Sequence, residues 1–379
     1  MKAAIVTFIR AYNYGATLQC YALSKKLRDL SIDVQVLDYF PKYFEDLYTL
    51  SYLGEIRKFP YRPLKSWIYY FPLINLLHRR NSGFDAFIKK NIPLTSKQYK
   101  TFEEIDIDIL PHDLFISGSD QVWSNRCVPF DPVYFLQFSS ALPEKRCSYA
   151  ASFGFNSVPD DLREEYQKRL RYWNSYSVRE KSAVQICQDL LNIDATQCCD
   201  PTLLLTFSDW NSLATEIKYK KPFILVYDVN NSSILFQKAR ELSLEKNLPV
   251  YILTSNMHHD SILCRRENTQ HFHNLSTASP DEWLGWFFSA AYILTDSFHG
   301  SVFSLLGHKQ FMQISSSPNS RAVDFLGSLN LEERCSQNVL DVIDSPIPWR
   351  DIDEKIDQLR QSSLLYLNGL FKKRGFPHG

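Results

Sequence analysis

The stretch YILTDSFHGSVFSLLGHKQFM, from Tyr292 to Met312, decides the fold. It opens on an apolar, β-rich run, Tyr292-Ile293-Leu294-Thr295, which reads as a buried strand. Asp296-Ser297 follows as a helix N-cap signal. His299 and Gly300 then fall in the first turn of a helix whose apolar positions Val302, Phe303, Leu305 and Leu306 face a core. Gly307 ends that helix, and residues 309–314 begin the next strand. A histidine therefore sits where the C-terminal end of a strand runs into a helix N-terminus. Open α/β sheets place ligands there, and orphan backbone N–H groups point outward to meet anions. Taken alone, the residue reads more simply as a capping histidine without chemistry. The rest of the chain shifts the balance.

The 379 residues are 45% hydrophobic and 22% charged, the make-up of a folded soluble protein. That length exceeds one core and suits two domains of similar size. Formal net charge is zero, so no global field recruits nucleic acid, and none is expected as a partner. The eight cysteines form no CxxC pair and no zinc-finger spacing, which is reduced, cytosolic usage. The start, MKAAIVTFIR, reads as a first strand and not as a signal peptide. No apolar run of about eighteen residues is present to span a membrane. A cytoplasmic protein is the expectation.

Outward from the deciding stretch, the same alternation recurs. Residues 3–8 read as a strand, about 16–30 as an amphipathic helix and 32–37 as a second strand, a βαβ opening. There is no GxGxxG, so a dinucleotide fingerprint is absent. Asn13 and Gly15 fit either a plain turn or an anion or sugar site at that helix N-terminus. A strand at 113–116 runs into Ser117-Gly118-Ser119-Asp120, where small residues admit a ligand close to the backbone. Another strand is expected at 146–152 and a charged helix at 160–172. A short strand then delivers Arg179 to the start of a helix. An arginine there suits a bidentate grip on carboxylate or phosphate; the plainer reading is an ion pair with Glu180 or a neighbouring acid.

Residues 201–222 read as the crossing into a second alternation. Strands are expected at 223–227, 249–254 and 270–273, and helices at 232–246, 280–289, 321–329 and 349–374. His271 with His273, and His258 with His259 and Asp260, lack carboxylate partners at fixed spacing and are read as non-ligands, so no metal is expected. One segment departs from its flanks: between 57 and 80, Arg57, Lys58, Arg62, Lys65, Arg79 and Arg80 are interleaved with aromatics and no acid. That mixture fits either a helix lying in a membrane interface or an inserted helical subdomain whose aromatics pack inward.

Five pieces in order resemble the polysaccharide pyruvyltransferase family: Asn13-Tyr14-Gly15-Ala16-Thr17-Leu18-Gln19, Ser117-Gly118-Ser119-Asp120-Gln121-Val122-Trp123, Ser177-Val178-Arg179-Glu180, Asp200-Pro201-Thr202-Leu203-Leu204 and Thr295-Asp296-Ser297-Phe298-His299-Gly300. Together they cover residues 3–331. The resemblance implies an α/β protein of two Rossmann-like domains facing a cleft, GT-B-like. The expected boundaries are 1–205 on the acceptor side, carrying a helical insert at about 41–92; 206–348 on the donor side; and a C-terminal helix at 349–379.

It also implies phosphoenolpyruvate as donor and a sugar diol as acceptor, giving a cyclic pyruvate ketal in bacterial surface polysaccharide biosynthesis. The acceptor is expected on a polyprenyl diphosphate carrier, with the 57–80 segment touching the inner face of the membrane. No cofactor is implied, phosphoenolpyruvate being a co-substrate. His299 is then the general acid, and arginines hold the donor. Many members carry an arginine two residues before that histidine, where this chain has Ser297. Arg179 and Arg321 are the candidates to replace it, with Lys309 third, beside Ser297 and Gly300. Asn13, Gly15, Ser117, Gly118, Asp120 and Asp296 are expected on the acceptor side or in the cleft. Which of Asn13, Asp120 and Asp296 orients acceptor hydroxyls stays open. A nucleotide-sugar glycosyltransferase of the same architecture is the alternative. So is a silent sugar- or lipid-binding scaffold, favoured by Ser297 and opposed by His299.

Overall fold

The computed structural model describes residues 1–48, 63–254, 271–314 and 321–372, with the backbone alone for Tyr48 and for 63–74. The chain divides into two compact units, one of Met1–Tyr48, Ile88–Leu205 and Ile356–Gly379, the other of Thr49–Phe87 and Thr206–Lys355.

In the first unit four strands, β1 (Lys2–Val6), β2 (Asp33–Val36), β3 (Leu114–Ser117) and β4 (Arg146–Ser148), form a parallel sheet in the order β2-β1-β3-β4. β1 and β3 are near-continuous apolar runs because a parallel sheet is covered on both faces. The helix Tyr14–Asp29 follows β1, and the Asn13 side chain caps it by accepting from Ala16 N at 3.2 Å. β4 ends earlier than the apolar run suggests. Ala150 adopts φ 49°, and the chain continues in single bridges from Ala151 to Asp120 and Val178. A short parallel pair, β5 (Ser177–Val178) and β6 (Thr196–Gln197), lies beside it. The charged segment expected as one helix is a 3-10 turn, Asp160–Leu162, followed by the helix Arg163–Leu170.

The second unit holds β7 (Ile224–Asp228), β8 (Val250–Thr254), β9 (Phe272–Asn274), β10 (Tyr292–Thr295) and β11 (Gln310–Gln313). They are parallel throughout, in the order β11-β10-β7-β8-β9. Counted from β7, this is the order of a Rossmann sheet, 3-2-1-4-5. Its core includes Ile224, Val226, Leu235, Leu242, Ile252, Leu294 and Met312, all fully buried. Each such side chain contributes about 1.5–3 kcal/mol on burial. The register sets Thr295 opposite both Tyr227 and Gln313, so the ends of β7, β10 and β11 share one edge. Strand order reverses between β7 and β10 in this unit and between β1 and β3 in the first.

The inserted helix departs from expectation. It runs Pro63–Asn91, yet its residues through Phe87 belong to the second unit and only those from Ile88 to the first. Two contacts explain this. Arg80 Nη1 donates to the carbonyls of Thr254 (2.6 Å) and Ser276 (3.0 Å). Gly83 also lies so close to Ser279 that an added Cβ would stand 3.2 Å from its Cβ. The C-terminal helix Trp349–Lys372 divides likewise, its residues from Ile356 joining the first unit. There Ser363 Oγ accepts from Cys199 N at 2.9 Å and the Tyr366 hydroxyl donates to Ser148 O at 2.9 Å. Among the described residues, no helix is long and apolar enough to cross a membrane.

Candidate active site

In the second unit the site is built at the order reversal, from the ends of β7 and β10. The Thr295 hydroxyl donates to Tyr227 O at 2.8 Å and accepts the N–H of Ser297 at 3.0 Å, which turns the chain off the sheet. Ser297 is the extended N-cap residue of the helix Phe298–Leu306. An added Cβ on Gly300 would lie 2.2 Å from Thr295 Oγ1, so glycine is what lets the first turn close on the strand end. His299 sits in that turn, 8% exposed, its ring edge-on to Phe298.

Asp296 laces the two strand ends together. One carboxylate oxygen accepts from Val229 N at 2.8 Å, the other from Asn230 N at 2.9 Å. Asp228, the last residue of β7 and fully buried, accepts from Ser232 N at 3.1 Å. Ser232 in turn caps the helix Ser233–Lys246 through Leu235 N. Burial, and next the charge of Asp228, push the Asp296 carboxyl up to about 7; burial also raises that of Asp228. Two helices thus begin at one crevice position, where their N-termini favour negative charge. The sequence reading missed Asp228, although an acid closing the apolar run Ile224-Leu225-Val226-Tyr227 was a visible signal. It also missed Gln313, whose Oε1 accepts from Ser301 Oγ at 2.7 Å at the end of β11.

Of the residues expected on the acceptor side or in the cleft, Asp296 lies at the β10 end just described, and the others lie in the first unit near its own reversal. Thr7, just past β1, donates to Ser119 O and accepts from Gln19 Nε2, each at 2.9 Å. An added Cβ on Gly118 would lie 3.0 Å from Thr7 Cβ, a close approach of the two strand ends. Ser117 is committed to Tyr134 O at 2.9 Å, and Ser119 reaches Asp200 at 3.2 Å. Asp120 takes a left-handed φ of 76° and accepts from Gln121 N at 2.8 Å. Asn13 and Gly15 stand at the start of the helix after β1. Thr7 carries no sequence signal for this contact, and Gln19 appears in the sequence only as the last residue of the first matching piece.

The candidate cations separate. Arg179 belongs to the first unit, and it is committed: Nε binds Glu180 at 2.9 Å and Nη1 binds Asp200 at 2.8 Å. Burial opposes its charge, but the carboxylates of Glu180, Asp200 and Asp120 outweigh burial and raise its pKa. Lys309 is in the second unit but at the wrong end of its sheet. It precedes β11, whose Gln310 pairs with Tyr292, the first residue of β10. Three residue steps of strand, about 10 Å, separate that edge from Thr295. Burial lowers its ammonium pKa. Arg321 opens the helix Arg321–Ser328, which packs on the His299 helix through Phe325 and Phe298, ring centroids 5.5 Å apart.

His258, His259 and Asp260 lie outside the described residues, while His273 stacks on Tyr251 with ring centroids 4.7 Å apart. In the basic segment, Arg57, Lys58 and Arg62 also lie outside the description. Arg79 is exposed, whereas Arg80 is buried on two main-chain carbonyls and is withdrawn from any surface role.

Comparison with solved structures finds a UDP-N-acetylglucosamine 2-epimerase that is 11% identical. The match covers 100% of this chain and 97% of that one, with a TM-score of 0.57. The Neisseria meningitidis UDP-GlcNAc 2-epimerase bound to UDP-GlcNAc is 11% identical over 98% of this chain and 100% of its own, TM-score 0.53. AviGT4, a glycosyltransferase involved in avilamycin A biosynthesis, is 10% identical over 99% of each chain, TM-score 0.51. At such identities the likeness shows the fold, which is the GT-B type of α/β protein with parallel sheets. A search of curated proteins finds no match. The sequence description of the polysaccharide pyruvyl transferases matches residues 13–318. With four-fifths of its length inside that match, the chain belongs to the polysaccharide pyruvyl transferase family.

Proposed function

We propose that the protein transfers the pyruvyl group of phosphoenolpyruvate to two hydroxyls of one sugar residue, forming a cyclic ketal in a bacterial surface polysaccharide. The observation that carries this reading is His299, held in the first turn of a helix at the switch point of the second sheet. His299 protonates the methylene carbon of the donor as general acid, and the adjacent carbon becomes oxocarbenium-like. One sugar hydroxyl adds there and loses its proton. Phosphate departs from the same carbon, and the second hydroxyl closes the ring, releasing another proton. The helix N-termini beside Asp228 and Asp296 favour the anionic donor, with Arg321 as the candidate cation of this unit. Asn13, Gly118 and Asp120 serve the acceptor. The scheme needs no metal and no cofactor.

A polyprenyl-linked acceptor and a cytoplasmic protein working at the inner membrane face complete the proposal. The basic and aromatic content of 57–80 supports it through the residues other than Arg80. Incubation with phosphoenolpyruvate and a polyprenyl-linked, galactose-containing acceptor tests the whole. Release of inorganic phosphate together with the mass gain of a pyruvate ketal is the expected result. The likeness to a UDP-GlcNAc 2-epimerase and to a glycosyltransferase favours one rival, a nucleotide-sugar glycosyltransferase. Transfer from a UDP-sugar with none from phosphoenolpyruvate would establish that rival instead.

A further inference from the structure

We propose that Asp228 and Asp296 are part of the donor subsite and act there as one acid pair that holds a single shared proton when the anionic donor binds. The inference rests on the reading of phosphoenolpyruvate at His299. Its starting point is a conflict. The crevice end of β7 and β10 suits an anion by its two helix N-termini, yet it carries two carboxylates on adjacent strand ends. Asp228 is fully buried and Asp296 is 9% exposed. Both are tied to backbone N–H groups of 229–232, so neither can swing away without releasing the loop. Two ionised carboxylates here would repel a donor that itself bears a phosphate and a carboxylate. One proton between them removes half of that charge, and the shared O–H is itself a donor for hydrogen bonding.

The neighbouring elements bring few other charges. The helix Ser233–Lys246 has no acid in its first turn. β8 ends in Thr254, whose carbonyl receives Arg80. β11 ends in the neutral Gln313. The helix after β10 contributes His299, and the helix packed on it contributes Arg321 and Asp324. Residues 255–270 and 315–320 lie outside the description. The elevation of the Asp296 carboxyl to about 7, caused by burial and then by Asp228, agrees with a pair that titrates as a unit near neutrality.

Binding that requires the protonated pair takes up a proton above neutral pH, and affinity then falls by up to about tenfold per pH unit. Calorimetric titration of the full chain with phosphoenolpyruvate, across neutral pH and in two buffers of different ionisation heat, reads the proton uptake directly. Asp228→Asn keeps an acceptor for Ser232 N and offers Asp296 a permanent N–H, so one carboxyl is left and the pair carries at most a single charge. Asp296→Asn sets the same limit from the other side and serves if the first variant does not fold. The expected result is proton uptake by the native protein that exceeds that of either variant, with a flatter affinity profile in the variants. The donor phosphate and His299 are the same in all three proteins, so the difference isolates the pair. Equal uptake in native and variant proteins, with the donor bound, overturns this proposal and leaves the donor reading standing. No binding of phosphoenolpyruvate at any pH overturns both.

Discussion

Arg179 Nη1 donates to Asp200 Oδ2 over 2.8 Å, and neither side chain is more than 4% exposed. The partner, twenty-one residues away, also accepts from Ser119, Thr202 N and the Thr202 hydroxyl, so the pair joins three segments of the first unit. An arginine so placed is part of the frame. Arg179→Ala leaves the Asp200 carboxylate buried without its cation and is expected to cost about 3–5 kcal/mol of stability. Urea unfolding measures this. Unchanged stability with a raised Michaelis constant for phosphoenolpyruvate would return Arg179 to the donor.

His299 is expected to matter for turnover and little for folding. His299→Ala should lower kcat by about two to four orders of magnitude, the usual contribution of a general acid. The far-ultraviolet circular dichroism should match that of the native protein. A variant with near-native turnover would remove His299 from the chemistry.

Asp296 makes stability depend on pH in a fixed direction. Its carboxyl is raised from 3.8 to about 7 in the folded protein. Between those values the folded chain holds a proton that the unfolded chain has released, so stability falls as pH rises through that window. It levels off above about 7, where neither state holds the proton, and below about 4, where both do. Asp296→Asn removes the part of the slope that Asp296 contributes. Urea midpoints at several pH values check both statements, and a rise in native stability over the same window would contradict them.

Arg80 separates the two readings of the basic segment. It is 3% exposed and satisfies two carbonyls of the second unit. Arg80→Gln is expected to destabilise by about 1.5–3 kcal/mol, the range for hydrogen bonds to a charged group. It should leave sedimentation with anionic liposomes unchanged. Replacing Arg57, Lys58, Arg62 and Lys65 together with Gln should weaken sedimentation if the segment meets a membrane. That attraction should fade with salt, since surface charges are screened within about 10 Å at 0.1 M. Native protein that stays in the supernatant at low salt would end the membrane proposal.

The strand and helix pattern was legible because it is local. Tyr292-Ile293-Leu294-Thr295 is β10 as read, and the helix Pro280–Ser289 has the bounds expected of it. His299 could be placed at a strand-to-helix junction for the same reason: Thr295, Ser297 and Gly300 act within six residues of one another. The ordered motifs were enough to recognise the family. Lys309 lies at the opposite edge from Thr295, because a residue's position before or after a strand decides which edge of a parallel sheet it reaches. That edge acquires meaning only once Gln310 is seen paired with Tyr292.

By itself, then, the sequence determined the parallel α/β class, the two alternations and a histidine in the first turn of a helix. Those follow from apolar periodicity and from turn and cap residues that act over a few positions. The tertiary structure alone decided the distant partners of the charged groups. Asp296 meets Val229 across sixty-seven residues, and Arg80 meets Thr254 across one hundred and seventy-four. Periodicity says which face of a segment is buried, but not which strand lies beside it. The partner of a buried charge depends on strand order, which is settled by packing between segments far apart in the chain.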